Sequence, residues 1–218
     1  MWEALRPVLG EDARDVLDIG GGTGGFAVQV AELGHRVTVV DPSPDALAAL
    51  ARRAREVGVE VAGVQGDVAG LSDLVDEADI VLCHGVLEVV DDPAAALATI
   101  REVLRPGGSL SLLVAQRHAA VIARAMAGHF GQALALLDGQ GEGRSGHRFT
   151  LDEVGGLLAG AGFEPGPTHG IRVFADLVPG SLLELEPGAT AALVELERAV
   201  AERLEYLPLA TQLHVLAR

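Results

Sequence analysis

The first half of the chain alternates between short runs of branched apolar residues and longer amphipathic stretches, and this alternation constrains the fold most. Five runs predict strands: Asp15–Ile19, Arg36–Val40, Val59–Val64, Asp79–Cys83 and Ser109–Ala115. Four stretches between them predict helices: Thr23–Leu33, Ser43–Val57, Leu71–Glu77 and Pro93–Leu104. Apolar strands that alternate with helices indicate a parallel sheet covered on both faces. The predicted fold class is therefore α/β, with a doubly wound, Rossmann-like sheet.

The second half of the chain breaks this rhythm but contains no repeat or linker that would divide it. It predicts an extra helix over residues 118–137, a glycine-rich polar loop over Asp138–His147, a helix after Thr150, a strand around Arg172–Leu177, a helix over Ala189–Leu204 and a strand over Thr211–Ala217. We therefore expect one domain over residues 1–218 with seven strands. Residues 117–150 are expected to form a helical insertion after strand five, as an insertion or lid over the active site.

Composition favours a cytoplasmic location and argues against a membrane. The single cysteine, Cys83, excludes an internal disulfide and suggests a reducing compartment. Uncharged stretches such as Ala125–Leu137 are shorter than the roughly 18 residues that a membrane-spanning helix needs. The N-terminal residues include Glu3, Arg6 and Glu11 in place of a basic region followed by an apolar one, so no secretory signal is visible.

The charge of the chain is strongly negative but unevenly distributed. Its formal net charge of -15 disfavours a nucleic-acid partner for the molecule as a whole, because phosphates are bound by basic side chains. Residues 101–172 differ, since they hold seven arginines against six acidic residues, together with four of the seven histidines. An anionic partner is therefore expected to meet the middle of the chain.

A glycine-rich loop follows the first predicted strand and opens the first predicted helix. Its sequence, Gly20-Gly21-Gly22-Thr23-Gly24-Gly25, allows a tight turn and lets a ligand approach the backbone at a helix N-terminus. Gly20, Gly22 and Gly25 also satisfy the dinucleotide pattern G-x-G-x-x-G, and Asp41 follows about 20 residues later, where a ribose-binding acid is expected. A dinucleotide and S-adenosylmethionine both fit these features.

An acidic residue just before this loop distinguishes the two cofactors. Asp18 would repel the pyrophosphate of a dinucleotide, whereas it would attract the ammonium and sulfonium groups of S-adenosylmethionine. A further acid, Asp67, follows the third predicted strand, where a carboxylate can accept a hydrogen bond from an adenine amino group. Acids at three successive strand ends, together with the glycine loop, favour S-adenosylmethionine.

These elements together resemble a class I S-adenosylmethionine-dependent methyltransferase. The motifs that match are Asp18-Ile19-Gly20-Gly21-Gly22-Thr23-Gly24, Asp41, Gly66-Asp67-Val68 and Arg105-Pro106-Gly107-Gly108, and the resemblance covers essentially the whole chain. The cofactor-binding residues that follow are Asp18, Gly20, Gly22, Gly24, Asp41, Asp67, Val68, Cys83 and His84. The resemblance implies that the three glycines lie against the methionine part, that Asp41 binds the ribose, and that Asp67 and the Val68 amide bind adenine. It further implies that Cys83 and His84 border the sulfonium through backbone groups, and that the last strand runs antiparallel to the other six.

A narrower resemblance extends into the second half of the chain. The segments Cys83–Pro93, Ala127–Phe130, Gly170–Phe174 and Leu213–Val215 occur in an order similar to the tRNA 5-carboxymethoxyuridine methyltransferase family. That family esterifies the carboxylate of a modified wobble uridine. The resemblance therefore implies tRNA as the partner and a methyl ester as the product.

The acceptor that this resemblance implies needs no general base. A carboxylate with an unperturbed pKa near 4 is already ionised at neutral pH, so we predict no catalytic base. Holding it requires a fork-shaped cation, for which Arg172 is the first candidate, followed by Arg148 and Arg117. His118 could orient the substrate, and Tyr206 could hydrogen-bond to it. No metal site is predicted, because the histidines lack the spacing of zinc motifs.

Three alternatives remain open from the sequence. The first is a methyltransferase that acts on a small-molecule carboxylate or hydroxyl, which the acidic net charge would suit better. The second is a nicotinamide-dependent oxidoreductase, which the glycine spacing allows. The third is a cofactor-binding module without enzymatic activity.

Overall fold

A seven-stranded sheet organises the molecule. A computed structural model describes residues 1–137 and 146–218. Its strands are β1 (Asp15–Ile19), β2 (Arg36–Asp41), β3 (Val61–Gln65), β4 (Ala78–His84), β5 (Leu104–Ala115), β6 (Pro165–Ile171) and β7 (Gln212–Ala217). Their order across the sheet is β3-β2-β1-β4-β5-β7-β6. Strand β7 pairs antiparallel with β5 and β6, and the other pairs are parallel, which confirms the predicted mostly parallel sheet with an antiparallel last strand.

Ten α-helices lie between and beside these strands in the described residues. They are α1 (Trp2–Leu9), α2 (Ala27–Glu32), α3 (Pro44–Val57), α4 (Leu71–Leu74), α5 (Pro93–Val103), α6 (Arg117–Met126), α7 (Phe130–Leu137), α8 (Leu151–Gly160), α9 (Gly180–Leu185) and α10 (Ala189–Val200). Side-chain caps account for several of the starts. The hydroxyl of Ser43 accepts the amide of Ala46 at 3.2 Å, and the Asp92 carboxylate accepts the amides of Ala94 and Ala95 at 3.0 Å.

The buried residues of the central strands alternate between two apolar clusters, one on each face of the sheet. Val16 and Leu82 belong to the cluster that includes residues of α1, α2 and α3. Leu17 and Val81 belong to the cluster that includes residues of α5 and α8. Because successive strand residues point to opposite faces, helices cover both sides of the sheet. This arrangement confirms the doubly wound class.

The strand predicted at Arg172–Leu177 is wrong, since the sixth strand is β6, which ends at Ile171. Proline and glycine are generally depleted in strands, but β6 contains both. It can accommodate them because it lies at the edge of the sheet, where it pairs with β7 alone. The backbone turns at Arg172, whose φ is +59°. The next three amides then donate to the Glu197 carboxylate at 2.8 Å, so they are not available to a strand.

Several helices also differ from the prediction. The helix predicted over residues 118–137 divides into α6 and α7, because Gly128 adopts a φ of +77° after the end of α6. Helices α1 and α9 were not predicted, and α10 ends at Val200 instead of Leu204. Most of the predicted loop Asp138–His147 lies outside the described residues. The insertion over residues 117–150 contains α6 and α7, and its role as a lid stays a prediction. Within the described ranges, no helix is both long and apolar enough to cross a membrane.

Candidate cofactor and acceptor site

A cavity of about 810 Å³ opens at the carboxyl ends of β1, β2 and β3. Four residues predicted to bind the cofactor line it: Gly20, Asp41, Asp67 and Val68. The segment after β4 forms the opposite wall, which includes Gly85, Val86 and the first turns of α5. Ligands of open α/β sheets bind at this edge, where the strand order reverses on either side of β1 and β4.

The glycine loop has a backbone that other residues would strain. Gly20, Gly22 and Gly24 have φ values of +66°, +56° and +74°. A side chain on Gly20 would place its Cβ 2.8 Å from a methyl carbon of Val86, which lines the same cavity. The loop therefore brings backbone close to the space where a ligand would lie.

Asp41 holds this loop in place. Its Oδ2 atom accepts the amide of Gly22 at 2.9 Å, and its Oδ1 atom accepts the amide of Ser43 at 2.8 Å. Each carboxylate oxygen has two lone pairs, so both can accept a further hydrogen bond. Asp41 is thus a buried, oriented acceptor at the end of β2.

Asp18 is a buried carboxylate without a hydrogen-bonded counterion. It is 3% exposed, and its Oδ2 atom has no hydrogen-bond partner among the described residues. Burial, followed by the negative charge of Asp41, raises the pKa of Asp18 to about 7. A carboxylate in this position is stabilised by a cationic ligand. The ammonium and sulfonium groups of S-adenosylmethionine fit this requirement, whereas a pyrophosphate does not.

The remaining predicted cofactor residues contribute in different ways. Asp67 is exposed at the cavity, and its Oδ1 atom accepts the amide of Ala69 at 3.0 Å. Cys83 is completely buried, and burial, followed by the charges of Glu88 and Asp18, raises the pKa of its thiol. Its side chain is therefore part of the core. His84 is partly exposed and hydrogen-bonds through Nε2 to the hydroxyl of Ser111.

At the carboxyl end of β5, Arg117 links two chain segments. Its guanidinium donates to Glu153 Oε1 at 2.7 Å and to the carbonyl of Arg148 at 2.9 Å. The side chain is 15% exposed. Arg117 thus joins the first turn of α6 to the first turn of α8, and its predicted contact with substrate stays a prediction.

Arg148 and Asp176 line one cavity, and Arg172 pairs with Asp176. Arg148 lines a cavity of about 240 Å³ together with Gln116, Asp176 and Thr211. Arg172 forms an ion pair with Asp176, and the hydroxyl of Thr211 lies 2.7 Å from the other oxygen of that carboxylate. Arg172 is therefore already paired with a carboxylate, with which an acidic ligand would compete, and Arg148 lines the same cavity as that carboxylate.

The other two predicted acceptor residues lie apart. His118 is exposed in the first turn of α6, and its backbone amide donates to the side chain of Gln116. Tyr206 packs edge-on against Phe174, with ring centroids 5.9 Å apart, in a small apolar cluster. Tyr206 does not line the cavity beside Arg148. In the described part of the chain, no group of three or more His, Cys, Asp or Glu side chains converges as a metal site.

Three polar residues of the site were not predicted. Ser111 and His214 are completely buried beside His84, and the Glu88 carboxylate accepts the amide of Ala115 at 2.6 Å. Burial raises the pKa of Glu88. The sequence signal is that Ser111 and His214 interrupt otherwise apolar strands. Their contact depends on the pairing of strands far apart in the chain, which the sequence pattern does not give.

Comparisons with known proteins find methyltransferases. A family model described as a methyltransferase domain matches residues 16–108. The tRNA 5-carboxymethoxyuridine methyltransferase of Escherichia coli K12 is 32% identical over 100% of this chain and 86% of its own length. A ubiquinone biosynthesis O-methyltransferase of Xanthomonas euvesicatoria is 35% identical over 52% of this chain and 48% of its own length.

A solved structure has the same fold. A SAM-dependent methyltransferase from Methanosarcina mazei covers 100% of this chain and 97% of its own, with a TM-score of 0.67 and 20% identity. Fold and site thus define a class I S-adenosylmethionine-dependent methyltransferase, and S-adenosylmethionine is the cofactor. The nicotinamide-dependent alternative and the non-enzymatic one are overturned. The chain belongs to the family of the Escherichia coli tRNA 5-carboxymethoxyuridine methyltransferase.

Proposed function

We propose that this enzyme esterifies the carboxylate of a modified wobble uridine in tRNA. The observation that carries the proposal is the extent of the similarity to the Escherichia coli enzyme, which includes the whole half of the chain beyond the methyltransferase domain match. That second half contains the arginines of the acceptor side. The cytoplasmic location stays a prediction.

The cofactor would lie in the cavity at the ends of β1 to β3. In this proposal Asp18 faces its cationic end, and the backbone of Gly20, Gly22 and Gly24 lies along the methionine part. Asp41 accepts hydrogen bonds from the ribose, and Asp67 and the Val68 amide bind adenine. Cys83 and His84 border the reacting end from the end of β4.

The acceptor side would hold an anion without a base. When bound, S-adenosylmethionine supplies an electrophilic methyl group for in-line displacement by an oxygen nucleophile. In this proposal Arg172 exchanges Asp176 for the acceptor carboxylate, Arg148 contributes from the cavity that Asp176 also lines, and Arg117 keeps the Arg148 segment in position. A carboxylate is ionised at neutral pH, so the site has no need to remove a proton.

The distribution of charge supports a polyanionic partner on this side. Most of the acidic excess of the chain lies outside residues 101–172. Arg117 and Arg124 of this segment lie in α6, and Arg148 lines a cavity together with residues of α6. A tRNA anticodon would therefore meet the least acidic part of the molecule.

Mass spectrometry of tRNA nucleosides tests the proposal. We expect the methyl ester of the wobble uridine to be missing in a strain lacking this gene and the free carboxylate to accumulate. Complementation with the wild-type gene should restore the ester, and an Asp41→Ala variant serves as the inactive control. An unchanged nucleoside profile in the deletion strain would show that tRNA is not the acceptor.

Methylation of a small-molecule carboxylate or hydroxyl is the second candidate. The similarity to the Xanthomonas O-methyltransferase favours it, although that match covers about half of this chain. Binding to tRNA discriminates the two candidates. If tRNA is the acceptor, its affinity should fall steeply with salt, and undetectable binding at low salt would favour the small molecule.

A further inference from the structure

Two histidines and a serine form a hydrogen-bonded chain across the sheet. His84, the last residue of β4, has its Nε2 atom 2.9 Å from Ser111 Oγ on β5. The same oxygen lies 2.8 Å from Nε2 of His214 on β7. Ser111 and His214 are completely buried. His84 lies two residues beyond Leu82, so this chain of groups is on the face that α1, α2 and α3 cover.

The shared hydroxyl forces the two imidazole rings into opposite tautomers. Burial lowers the pKa of His84 to about 4, with a smaller contribution from the Met1 amino group. Burial lowers the pKa of His214 to about 3, with smaller contributions from His84, His169 and the same amino group. Both rings are therefore neutral. Because a serine hydroxyl has one proton, Ser111 donates to one Nε2 atom and accepts from the other.

The surroundings of His214 determine the direction of these hydrogen bonds. Its Nδ1 atom is buried and has no partner within the described residues. Its ring lies 5.5 Å from that of His169, which pairs through Nε2 with Glu202 at 3.2 Å. A buried N–H without an acceptor is rarer in proteins than an acceptor without a donor. His214 therefore keeps its proton on Nε2 and donates to Ser111, and Ser111 donates to His84.

This direction leaves the ring proton of His84 on Nδ1. His84 is partly exposed and directly precedes Gly85 and Val86, which line the cofactor cavity. Its ring packs edge-on against Phe26, just after the glycine loop, with centroids 5.4 Å apart. Among the described residues, none forms a hydrogen bond with Nδ1 of His84. The N–H is thus unpaired among the described residues, at the end of β4 beside the cavity that Gly85 and Val86 line.

We infer that His84 is a neutral N–H donor to the methyl-acceptor oxygen, and that Ser111 and His214 are positioning residues that hold its tautomer. The inference rests on the proposed transfer of a methyl group to tRNA. A ring nitrogen that already carries a proton can donate to an oxyanion but cannot take a proton from an alcohol. The arrangement therefore suits an acceptor that arrives ionised, such as a carboxylate, and disfavours a hydroxyl.

Nitrogen NMR of the full chain tests the tautomers without any acceptor. Histidine is labelled with nitrogen-15, and two-bond correlations separate protonated from bare ring nitrogens. We expect His84 protonated at Nδ1 and His214 at Nε2, unchanged between about pH 6 and 8. The signals that disappear in His84→Gln are assigned to His84. If that variant does not fold, through-space contacts between the His84 ring and Phe26 provide the assignment. A proton on Nε2 of His84, or a charged ring at neutral pH, would overturn the inference.

Methylation kinetics on tRNA test whether the donor reaches the acceptor. An asparagine amide lies near the position of Nδ1 and a glutamine amide near that of Nε2. We therefore expect His84→Asn to retain kcat within about fivefold and His84→Gln to lose about 100-fold. Equal losses in the two variants would mean that Nδ1 does not contact the acceptor.

The role of Ser111 has its own test. Ser111→Ala is expected to lower kcat about tenfold and to make it depend on pH near neutrality, because His84 is no longer held in one tautomer. Ser109→Ala, on the same face of β5, is the matched control and should change neither. A wild-type pH profile in Ser111→Ala contradicts the positioning role. If the wild-type enzyme methylates no tRNA, the proposed function fails, while the NMR result still decides the tautomers.

Discussion

The two halves of this molecule differ in whether the charged groups that would bind a ligand already have partners within the protein. In the cofactor half, residues 16–108, the ligand-facing groups are backbone amides, glycines and strand-end carboxylates, and Asp18 has no hydrogen-bonded counterion. In the half proposed to bind the acceptor, residues 109–218, the candidate groups are arginine side chains, and Arg117 and Arg172 are already paired with acids. The arrangement of the first half therefore suits a cation without a change of internal partners. The second half must exchange an internal ion pair for an external one when an anion binds.

This contrast predicts the largest effect when the charge of Asp18 is removed. The affinity for the cofactor should fall, whereas the stability of the cofactor-free fold should rise. Asp18→Asn should weaken S-adenosylmethionine about 100-fold, because a charge-assisted contact is lost. In the wild-type protein, the pKa of the Asp18 carboxyl is about 7, which lies above the unfolded value of 3.8. The ionised carboxylate therefore destabilises the fold increasingly as pH rises through that range. We expect the free energy of unfolding of the cofactor-free variant to increase by on the order of 3 kcal/mol at pH 8.

Calorimetry and urea unfolding measure these two effects. Asp67→Asn is the matched control, since this carboxylate is exposed and its loss should leave stability within about 0.5 kcal/mol of wild type. A destabilised Asp18→Asn protein would mean that Asp18 already has a favourable partner in the free enzyme. The comparison between the halves would then be wrong.

In the acceptor half we expect effects on tRNA that leave the cofactor unaffected. Arg172→Ala and Arg148→Ala should each raise KM for tRNA about tenfold. Each should also reduce by about one the slope of the logarithm of the tRNA binding constant against the logarithm of salt concentration. Filter binding at several salt concentrations and titration with S-adenosylmethionine measure the two affinities. Arg52→Ala, an exposed arginine on α3, is the control. Loss of cofactor affinity in either acceptor variant would contradict the division into halves.

A smaller change in tRNA affinity, in the opposite direction, is expected for Asp176, the acid that pairs with Arg172. Asp176→Asn removes the carboxylate that pairs with Arg172 and should strengthen tRNA binding about threefold, because less of an internal ion pair is broken. The same salt titration measures it. Weaker tRNA binding by this variant would indicate that Asp176 orients Arg172 and does not compete with the ligand.

The smallest effect concerns the reactivity of the thiol of Cys83, a residue at the site whose side chain is buried in the core. Burial raises the pKa of its thiol, so the native enzyme should not react with iodoacetamide at pH 8, and urea should expose one reactive thiol per chain. Mass spectrometry before and after unfolding measures the modification. Rapid alkylation of the folded enzyme would show that the side chain, and not only its backbone, is accessible at the site.

The same contrast explains how much the sequence could predict. Strands β1 to β5 follow from local apolar runs, and the glycine loop, Asp18, Asp41 and Asp67 follow from their positions at strand ends. Strand β6 was missed, because prolines and glycines hide an edge strand that is held by pairing with β7. The contact between Ser111 and His214 joins residues 103 positions apart. It depends on the register of β5 against β7, which no local pattern encodes.

The most direct test of the account is methylation of tRNA by the purified enzyme. The tRNA is taken from a strain lacking this gene and incubated with S-adenosylmethionine that carries an isotopic label in its methyl group. A methyl ester is cleaved by mild alkali, whereas an ether or a methylated base is not. The account predicts label in tRNA that mild alkali releases as methanol. Unlabelled tRNA, or label that resists alkali, would contradict it.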